Sequence, residues 1–563
     1  MIRHVAPMTA RPVRGCGICR SGRALPIVVV LLIAVLIVIA LYVINRDAGT
    51  LGDAGGVATD QTESPAESSE ALPAVSGDGE LFDGWSEPAA VLVFSGQQHG
   101  YLEPCGCTAG QVGGLARRTD LVRMLRDDKQ WPVAAFDNGG VMRDERAKRP
   151  QEALKLATTR RAMRLMEYDA QGIGTEELRL GATGLFELFS QEQGEGDTAP
   201  PFVCANLTLF EERTDDYSIG TPEQFRIAEV GGLKVAVTAV AGDDAWMSVF
   251  PGGLEITDTL FGFEPPAAAL KRVIPLMQAE QPDVMVLLAH SHLDGSRDLA
   301  AQFPVFDIVL TAGGPEDGRR EPGMVGETLV LEVGQKGKAV GVVGVFPHAD
   351  DQKLRFQLVE LNGKDFKHDR RMHALFEQYV ETLNSRHPEL QENLGPHPSG
   401  AEYVGAEACQ KCHADAYEVW EGSMHAHAFE SLTTGRPDDA DDDILIVRTH
   451  DPECITCHAT GWDPLLFGRY DSAFVDMEST PKLAGSQCEN CHGPGSKHVA
   501  LEEEFEKEGG DPGPSVLRTR FDMQVTLKAA RENLCVQCHD LDNSPHFDTD
   551  DRPFDDWWAE IEH

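Results

Sequence analysis

Four short motifs carry the most specific chemistry in this sequence. Cys409/Cys412/His413, Cys454/Cys457/His458, Cys488/Cys491/His492 and Cys535/Cys538/His539 each read C-x-x-C-H. That pattern is the attachment signature of a c-type haem, with two thioether bonds from the cysteines and the adjacent imidazole as proximal iron ligand. Paired cysteines also bind zinc, and in exported proteins they form disulfides. A histidine directly after all four pairs favours haem over both, so four covalently bound c-type haems are expected. The second ligand on each iron separates a closed electron carrier from a site open to ligand chemistry. Six further histidines lie in the same stretch, His425, His427, His450, His498, His546 and His563. Three or four of them are expected to be distal ligands.

A second cluster is less specific. Cys105-Gly106-Cys107 follows His99 in a loop after an apolar run. A C-x-C pair can be a disulfide, a redox couple or two metal ligands, and Cys204 is a further pairing partner. Cys16 and Cys19 have no following histidine and read as ordinary thiols.

The elements that must position these groups divide the 563 residues into several segments, as the length predicts. Residues 1–24 hold five arginines and no acid, and Leu25–Ile44 is uncharged. As a helix, twenty residues span about 30 Å, the hydrocarbon thickness of a bilayer. The expectation is an uncleaved transmembrane signal anchor at 25–44, with 1–24 cytoplasmic and the rest across the membrane. Cleavage as a signal peptide is the alternative, and both export the remainder.

Residues 45–88 are rich in acids, Ser, Pro and Gly, and read as a disordered acidic tether. Between 89 and 363 short apolar runs alternate with helical patterns, which predicts an α/β sandwich with mixed sheets. Strands are expected at Ala89–Phe94, Val133–Phe136, Ala170–Ile173, Phe202–Ala205, Val284–Ala289 and Phe306–Thr311. Phe225–Val230 with Leu233–Val240, and Thr328–Val333 with Ala339–Phe346, read as hairpins. Residues 364–398 read as a helical linker. The last segment, 399–563, is expected to be mainly helical and irregular.

Its motifs start 45, 34 and 47 residues apart, so it is no simple repeat. At roughly 40 residues per haem, the porphyrins must supply much of the interior, and folding depends on their insertion.

The strings YVGAEACQKCHADAYEVWEGSMHAHAFESL, DPECITCHATGW, CENCHGPGSKHV and LCVQCHDLDNSPHFD…IEH resemble the tetrahaem cytochrome c-554 family over all of 399–563. The resemblance implies distal ligands at His425, His498 and His563. It makes His427, His450 and His546 weaker candidates, and it leaves one iron five-coordinate.

VFSGQQHGYLEPCGCTAGQVGGLARRTDLV, AAFDNGG, YDAQGIGTEEL, VCANL and VLLAHSHLDG are similar to calcineurin-like metallophosphoesterases of the 5′-nucleotidase branch. That resemblance implies a dinuclear metal site, yet most of its ligands are replaced. Gln97, Gly139-Gly140, Gly174-Thr175-Glu176 and Gly313-Gly314-Pro315-Glu316 stand at ligand positions, while His99 and His290 remain. Asp137 belongs to the same residual site. A divalent metal pair is therefore not expected, although Asp137, Glu176 and His292 are an alternative single-metal set.

With 49 Lys+Arg against 91 Asp+Glu, the net charge is −42, which argues against nucleic acid as a partner. Residues 399–563 carry 12 basic against 35 acidic residues, which favours a redox partner with a basic docking face. The leading expectation is an electron-transferring multihaem cytochrome, anchored in a bacterial inner membrane with its bulk in the periplasm. Its phosphatase-like domain would have lost the dinuclear metal site. The alternatives are an oxidoreductase acting on a small nitrogen-oxide-type substrate at a five-coordinate haem, and an active metal-dependent phosphoesterase.

Overall fold

The computed structural model describes residues 81–104, 110–143, 146, 149–191, 199–209, 222–251, 261–349, 352–434 and 447–563. The expected anchor at 25–44, its basic leader, nearly all of the tether, and Cys105 and Cys107 lie outside the described residues. Among the described residues no helix is long and apolar enough to cross a membrane.

Thirteen strands build the α/β domain: β1 Ala90–Ser95, β2 Val133–Asp137, β3 Ala170–Gln171, β4 Leu207–Leu209, β5 Arg226–Val230, β6 Leu233–Ala241, β7 Phe261–Phe263, β8 Val284–His290, β9 Ile308–Thr311, β10 Gly323–Val325, β11 Thr328–Leu331, β12 Ala339–Val345 and β13 Leu354–Glu360. They form two mixed sheets, β13-β12-β1-β2-β3 and β10-β11-β9-β8-β6-β5, beside the small pair β4-β7. The period of two in β1 sets the layering. Ala90, Leu92 and Phe94 face the second sheet, where they meet Val237, Leu288 and Leu310. Val91 and Val93 face outward onto helices α1 (Leu115–Arg123) and α2 (Pro150–Leu165). On the far side, α3 (Pro266–Ala279) covers the second sheet through Leu270, Val273 and Met277. The domain is thus a helix-sheet-sheet-helix sandwich.

Three expectations need correction. Thr328–Val333 and Ala339–Phe346 do not form a hairpin. β11 pairs with β9 and β10, whereas β12 pairs with β1 and β13 in the other sheet. Both strands are buried on both faces, so each can be a sheet-interior strand without pairing to its neighbour in sequence. Phe202–Ala205 makes only isolated bridges, Gln171 with Phe202 and Val203 with Glu223. The end of the tether is no solvated spacer. Phe82 is buried, its N–H donates to Gln357 Oε1, and its ring packs against Trp85 and Trp131.

The expected linker helix is α4, Arg370–Leu390, capped by the Asp369 carboxylate. Its apolar face, with Phe376, Tyr379 and Leu383, joins the core beside α2. The chain then enters β14 (Glu392–Asn393), which lies parallel to β16 (Gly468–Arg469), itself antiparallel to β15 (Trp462–Asp463). Beyond residue 399, apart from β15 and β16, the described chain is helices and turns. Helices α5 (Ala406–Gln410), α6 (Pro452–His458) and α7 (Cys488–His492) carry three of the motifs, and a single 3₁₀ turn at Cys535–Gln537 carries the fourth.

Candidate functional site

Each motif is held by polar residues lying next to or inside it. Helix α6 is capped by Asp451, whose Oδ1 accepts the Glu453 N–H at 3.0 Å, and Pro452 opens its first turn. In α7 the Glu489 carboxylate is buried and accepts N–H groups from Val404, Gly405 and Gly495. The first two of those bonds tie the third motif to the chain entering the first, and the third closes the turn after His492. Gly405 has φ 88°, and a side chain there would meet the Lys482 carbonyl at 3.0 Å, so glycine is required at this approach. The thiols of Cys409 and Cys488 hydrogen-bond, and so do those of Cys457 and Cys538. The first motif thus lies beside the third and the second beside the fourth, while Cys491 of the third also lies near Cys535 and Cys538.

The motif cysteines are not enclosed alike. Cys412 is exposed, as is Cys491, whereas Cys409 and Cys488 are half-buried, and none of these four is in a disulfide. The reason for Cys412 is local. Helix α5 ends at Gln410, so Cys412 falls in the turn beyond it, on the outer side of the motif. Polypeptide alone does not cover that thiol; a thioether-linked porphyrin would.

The histidines are arranged more tightly still. His413 faces His498 with ring centres 6.3 Å apart, His539 faces His425 at 6.0 Å, and His492 faces His563 at 5.9 Å. Two imidazoles each about 2 Å from a shared metal place their ring centres roughly 6 Å apart. In His492, His539 and His563 the Nδ1 atom is already engaged, with Met523 O, Ser544 Oγ and Ile561 O. That leaves Nε2 as the free lone pair, the usual arrangement behind a metal ligand. Burial lowers the pKa of His425 and His498, and burial together with the nearby His425 brings that of His539 down to about 4. Neutral imidazole is the form that binds metal.

His458 has no such counterpart among the described residues. Its Nδ1 is held by Ala428 O at 2.6 Å and Ser431 Oγ at 3.2 Å. His427 instead approaches Glu430 at 3.3 Å, and His546 is exposed. His450 meets Asn384 Oδ1 at 3.1 Å and lies tilted against the ring of His387, a residue that sequence reasoning passed over. None of these three stands opposite a motif histidine.

The surroundings suit a large apolar cofactor. A cavity of ≈ 560 Å³ is lined by His397, His492, Lys497, His498 and Met523, within the size range of cofactor sites. Met424, Phe521 and Leu541 are left exposed, and the module's own apolar cluster holds only nine buried residues. A porphyrin would cover such side chains and complete that core.

The α/β domain holds a second polar cluster. His99 Nε2 lies 3.2 Å from Glu176 Oε1, and His290 Nε2 lies 3.7 Å from Glu176 Oε2. His290 Nδ1 contacts the Asn138 carbonyl at 3.1 Å. Burial opposes ionisation of Glu176, but the His99 hydrogen bond and the nearby His290 outweigh it and hold the carboxyl below its usual range. Gln97 and His99 have φ of 48° and 49°, so the loop after β1 adopts a left-handed conformation at two non-glycine residues. Neighbouring Glu177 accepts N–H groups from Gly140, Val141 and Gly174 at 2.7 to 3.0 Å.

Asp137 is not part of this cluster. Its carboxylate accepts Ser95 Oγ–H at 2.6 Å and Gly139 N–H at 2.9 Å, and burial raises its pKa. Nor is His292, which is exposed and approaches Asp244 at 3.6 Å. The single-metal set of Asp137, Glu176 and His292 is thus not brought together. Among the described residues no group of three or more His, Cys, Asp or Glu is placed to hold a metal ion. Cys204 is buried, and its thiol donates to Asn206 Oδ1 at 3.3 Å.

The family described as cytochrome c554 and c-prime matches residues 408–493. Cytochrome c-554 of Nitrosomonas europaea is 32% identical over 148 residues, which is 25% of this chain and 58% of that protein. Among solved structures, a 5′-nucleotidase precursor from Thermus thermophilus aligns at 17% identity and TM-score 0.43, over 57% of this chain and 62% of that one. A calcineurin-like phosphoesterase from Bacillus subtilis aligns at 17% identity and TM-score 0.40, over 52% of this chain and 97% of that one. The resemblance of the haem-motif segment seen in the sequence is the one that the sequence comparisons return.

Proposed function

We propose that this chain, whose C-terminal segment is of the cytochrome c-554 kind, is a multihaem c-type cytochrome that transfers electrons. The observation that carries the reading is the set of three histidine pairs, each uniting a motif histidine with one remote in sequence. The eight motif cysteines, the exposed Cys412 included, hold four haems, and His413, His458, His492 and His539 are the proximal ligands. His498, His425 and His563 are the distal ligands of the first, fourth and third haems. Each bound haem would supply one-electron redox chemistry at its iron. The chain's own part is to fix the imidazoles, exclude water and hold neighbouring motifs together. A pyridine haemochrome assay with electron paramagnetic resonance tests this. Four haems per chain, three low-spin and one high-spin, are expected, and any other count overturns the reading.

The absence of a counterpart to His458 among the described residues favours a second reading. Its iron would keep one open position, suited to a small nitrogen-oxide-type substrate. A high-spin signal that shifts with nitric oxide, nitrite or hydroxylamine supports that reading, and one indifferent to all three removes it.

The residues of the α/β domain do not fit a dinuclear metal centre. Glycines 139 and 140 stand where a bridging carboxylate is needed. A side chain at Gly140 would come within 3.1 Å of the Gln97 Cα, and one at Gly174 within 2.5 Å of the Gly140 nitrogen. This domain therefore serves as a phosphoesterase-like scaffold rather than a hydrolase. Turnover of a chromogenic phosphate ester with added Mn²⁺ would refute that. The apolar segment Leu25–Ile44 anchors the chain in the inner membrane with the haems in the periplasm. The acidity of residues 399–563 selects a partner with a basic face, whose association slows as ionic strength rises.

A further inference from the structure

The α/β domain grips the haem module at the start of the second motif. Asp451 and Glu453 flank the start of α6, the helix that ends in His458. Gln151 of α2 donates to Asp451 Oδ1 at 2.8 Å and to the Tyr379 hydroxyl at 3.0 Å. Glu453, directly before Cys454, is clasped from both sides. Arg146 Nη1 lies 2.9 Å from its Oε1 and Lys155 Nζ lies 2.5 Å from its Oε2. Arg146 also lies over the Phe467 ring, 3.7 Å from its centre. Lys155 is 3% exposed, Arg146 5% and Glu152 1%, so these charges sit away from solvent.

Burial opposes the charge of Glu453, but Lys155, Arg146 and Arg143 together hold it ionised. Glu152 adds a second carboxylate, 3.7 Å from Lys155 and bonded to the Arg143 backbone N–H. Asp451 is matched by its own partner, Arg448. Screening is weak at such a site, and each positive charge buried there, Lys155 and Arg146, favours whichever neighbouring state carries one more electron.

We propose that Lys155 and Arg146 are positioning residues of the α/β domain for the haem on Cys454 and Cys457, fixing the start of α6 and raising that haem's reduction potential. The inference rests on the reading that this motif carries haem. It assigns the phosphoesterase-like scaffold a task in the redox module that needs no hydrolytic chemistry.

Spectroelectrochemical titration of the full-length, haem-loaded protein tests it, with the second haem followed by its high-spin signature. Lys155→Met should lower that one midpoint potential and leave the other three in place, whereas Lys155→Arg should restore it. Should Lys155→Met not accumulate, Arg146→Gln carries the same expectation. An unmoved midpoint, an upward shift, or an equal shift of all four overturns the proposal. Four haems in the wild-type protein but no such shift in the variants defeats this inference alone. Wild-type protein lacking haem at Cys454 and Cys457 defeats the functional reading as well.

Discussion

The imidazoles of His413 and His498 face one another with ring centres 6.3 Å apart and planes 30° from parallel, although 85 residues of chain separate them. That spacing is what two ligands of one iron require. His498→Ala, His425→Ala and His563→Ala should each convert one low-spin ferric haem to high-spin, read by electron paramagnetic resonance. His427→Ala, His450→Ala and His546→Ala should change no spin state. A low-spin count that survives any of the first three variants would break the assignment of that pair.

Asp137 should prove structural rather than catalytic. Asp137→Ala strands the Ser95 hydroxyl and the Gly139 N–H in a fully buried place, at a cost of about 1–3 kcal/mol. Urea unfolding followed by far-ultraviolet circular dichroism measures it. Asp137→Asn keeps an acceptor for the Gly139 N–H and turns its amide N–H towards the Ser95 hydroxyl, which has the Tyr168 hydroxyl as a second partner, so it should cost less. Equal losses from the two variants would contradict a role confined to those hydrogen bonds.

Asp476 joins the haem module to helix α4 through His387, at 3.0 Å. Burial resists its charge, but hydrogen bonds from Ser479, His387 and the Glu478 N–H bring its pKa down to about 2. A carboxyl with a lowered native pKa stabilises the fold above its unfolded value near 3.8, and this contribution fades as pH falls towards 2. Asp476→Asn should therefore be less stable than wild type at about pH 6, with the gap closing below about pH 4. A gap that widened on acidification would contradict the pairing.

The Asp542 carboxylate meets Lys336 Nζ at 2.6 Å and the Tyr101 hydroxyl at 3.1 Å, three residues after the fourth motif histidine. Asp542→Ala should remove about 0.5–1.5 kcal/mol per hydrogen bond lost. Faster amide exchange over residues 540–548 is the expected sign, and unchanged protection there would show the contact to be idle.

How far the sequence speaks varies from residue to residue. The four motifs and the alternation of β1 are local signals, written in consecutive residues, and both are legible. The exposure of Cys412 is not, because it depends on where α5 stops. The three distal candidates from the family resemblance are the three histidines that face motif histidines, but which faces which depends on tertiary packing. Thr328–Leu331 and Ala339–Val345 flank a turn-like Gly334-Gln335-Lys336-Gly337, and nothing local reveals that the chain changes sheet there. Phe82 and Trp85 sit in an acidic stretch whose average composition hides two anchoring rings. His387 is one histidine in a charged helix, and only the approach of Asp476 and His450 gives it a role.

The pairing of Glu392–Asn393 with Gly468–Arg469 has a practical consequence. A haem fragment cut at residue 399 would leave Gly468–Arg469 as an open edge, with the Leu394 N–H bond to the Arg469 carbonyl also lost. The seam between the modules is stitched from both sides, so the chain is better divided ahead of Glu392 than at the apparent composition boundary.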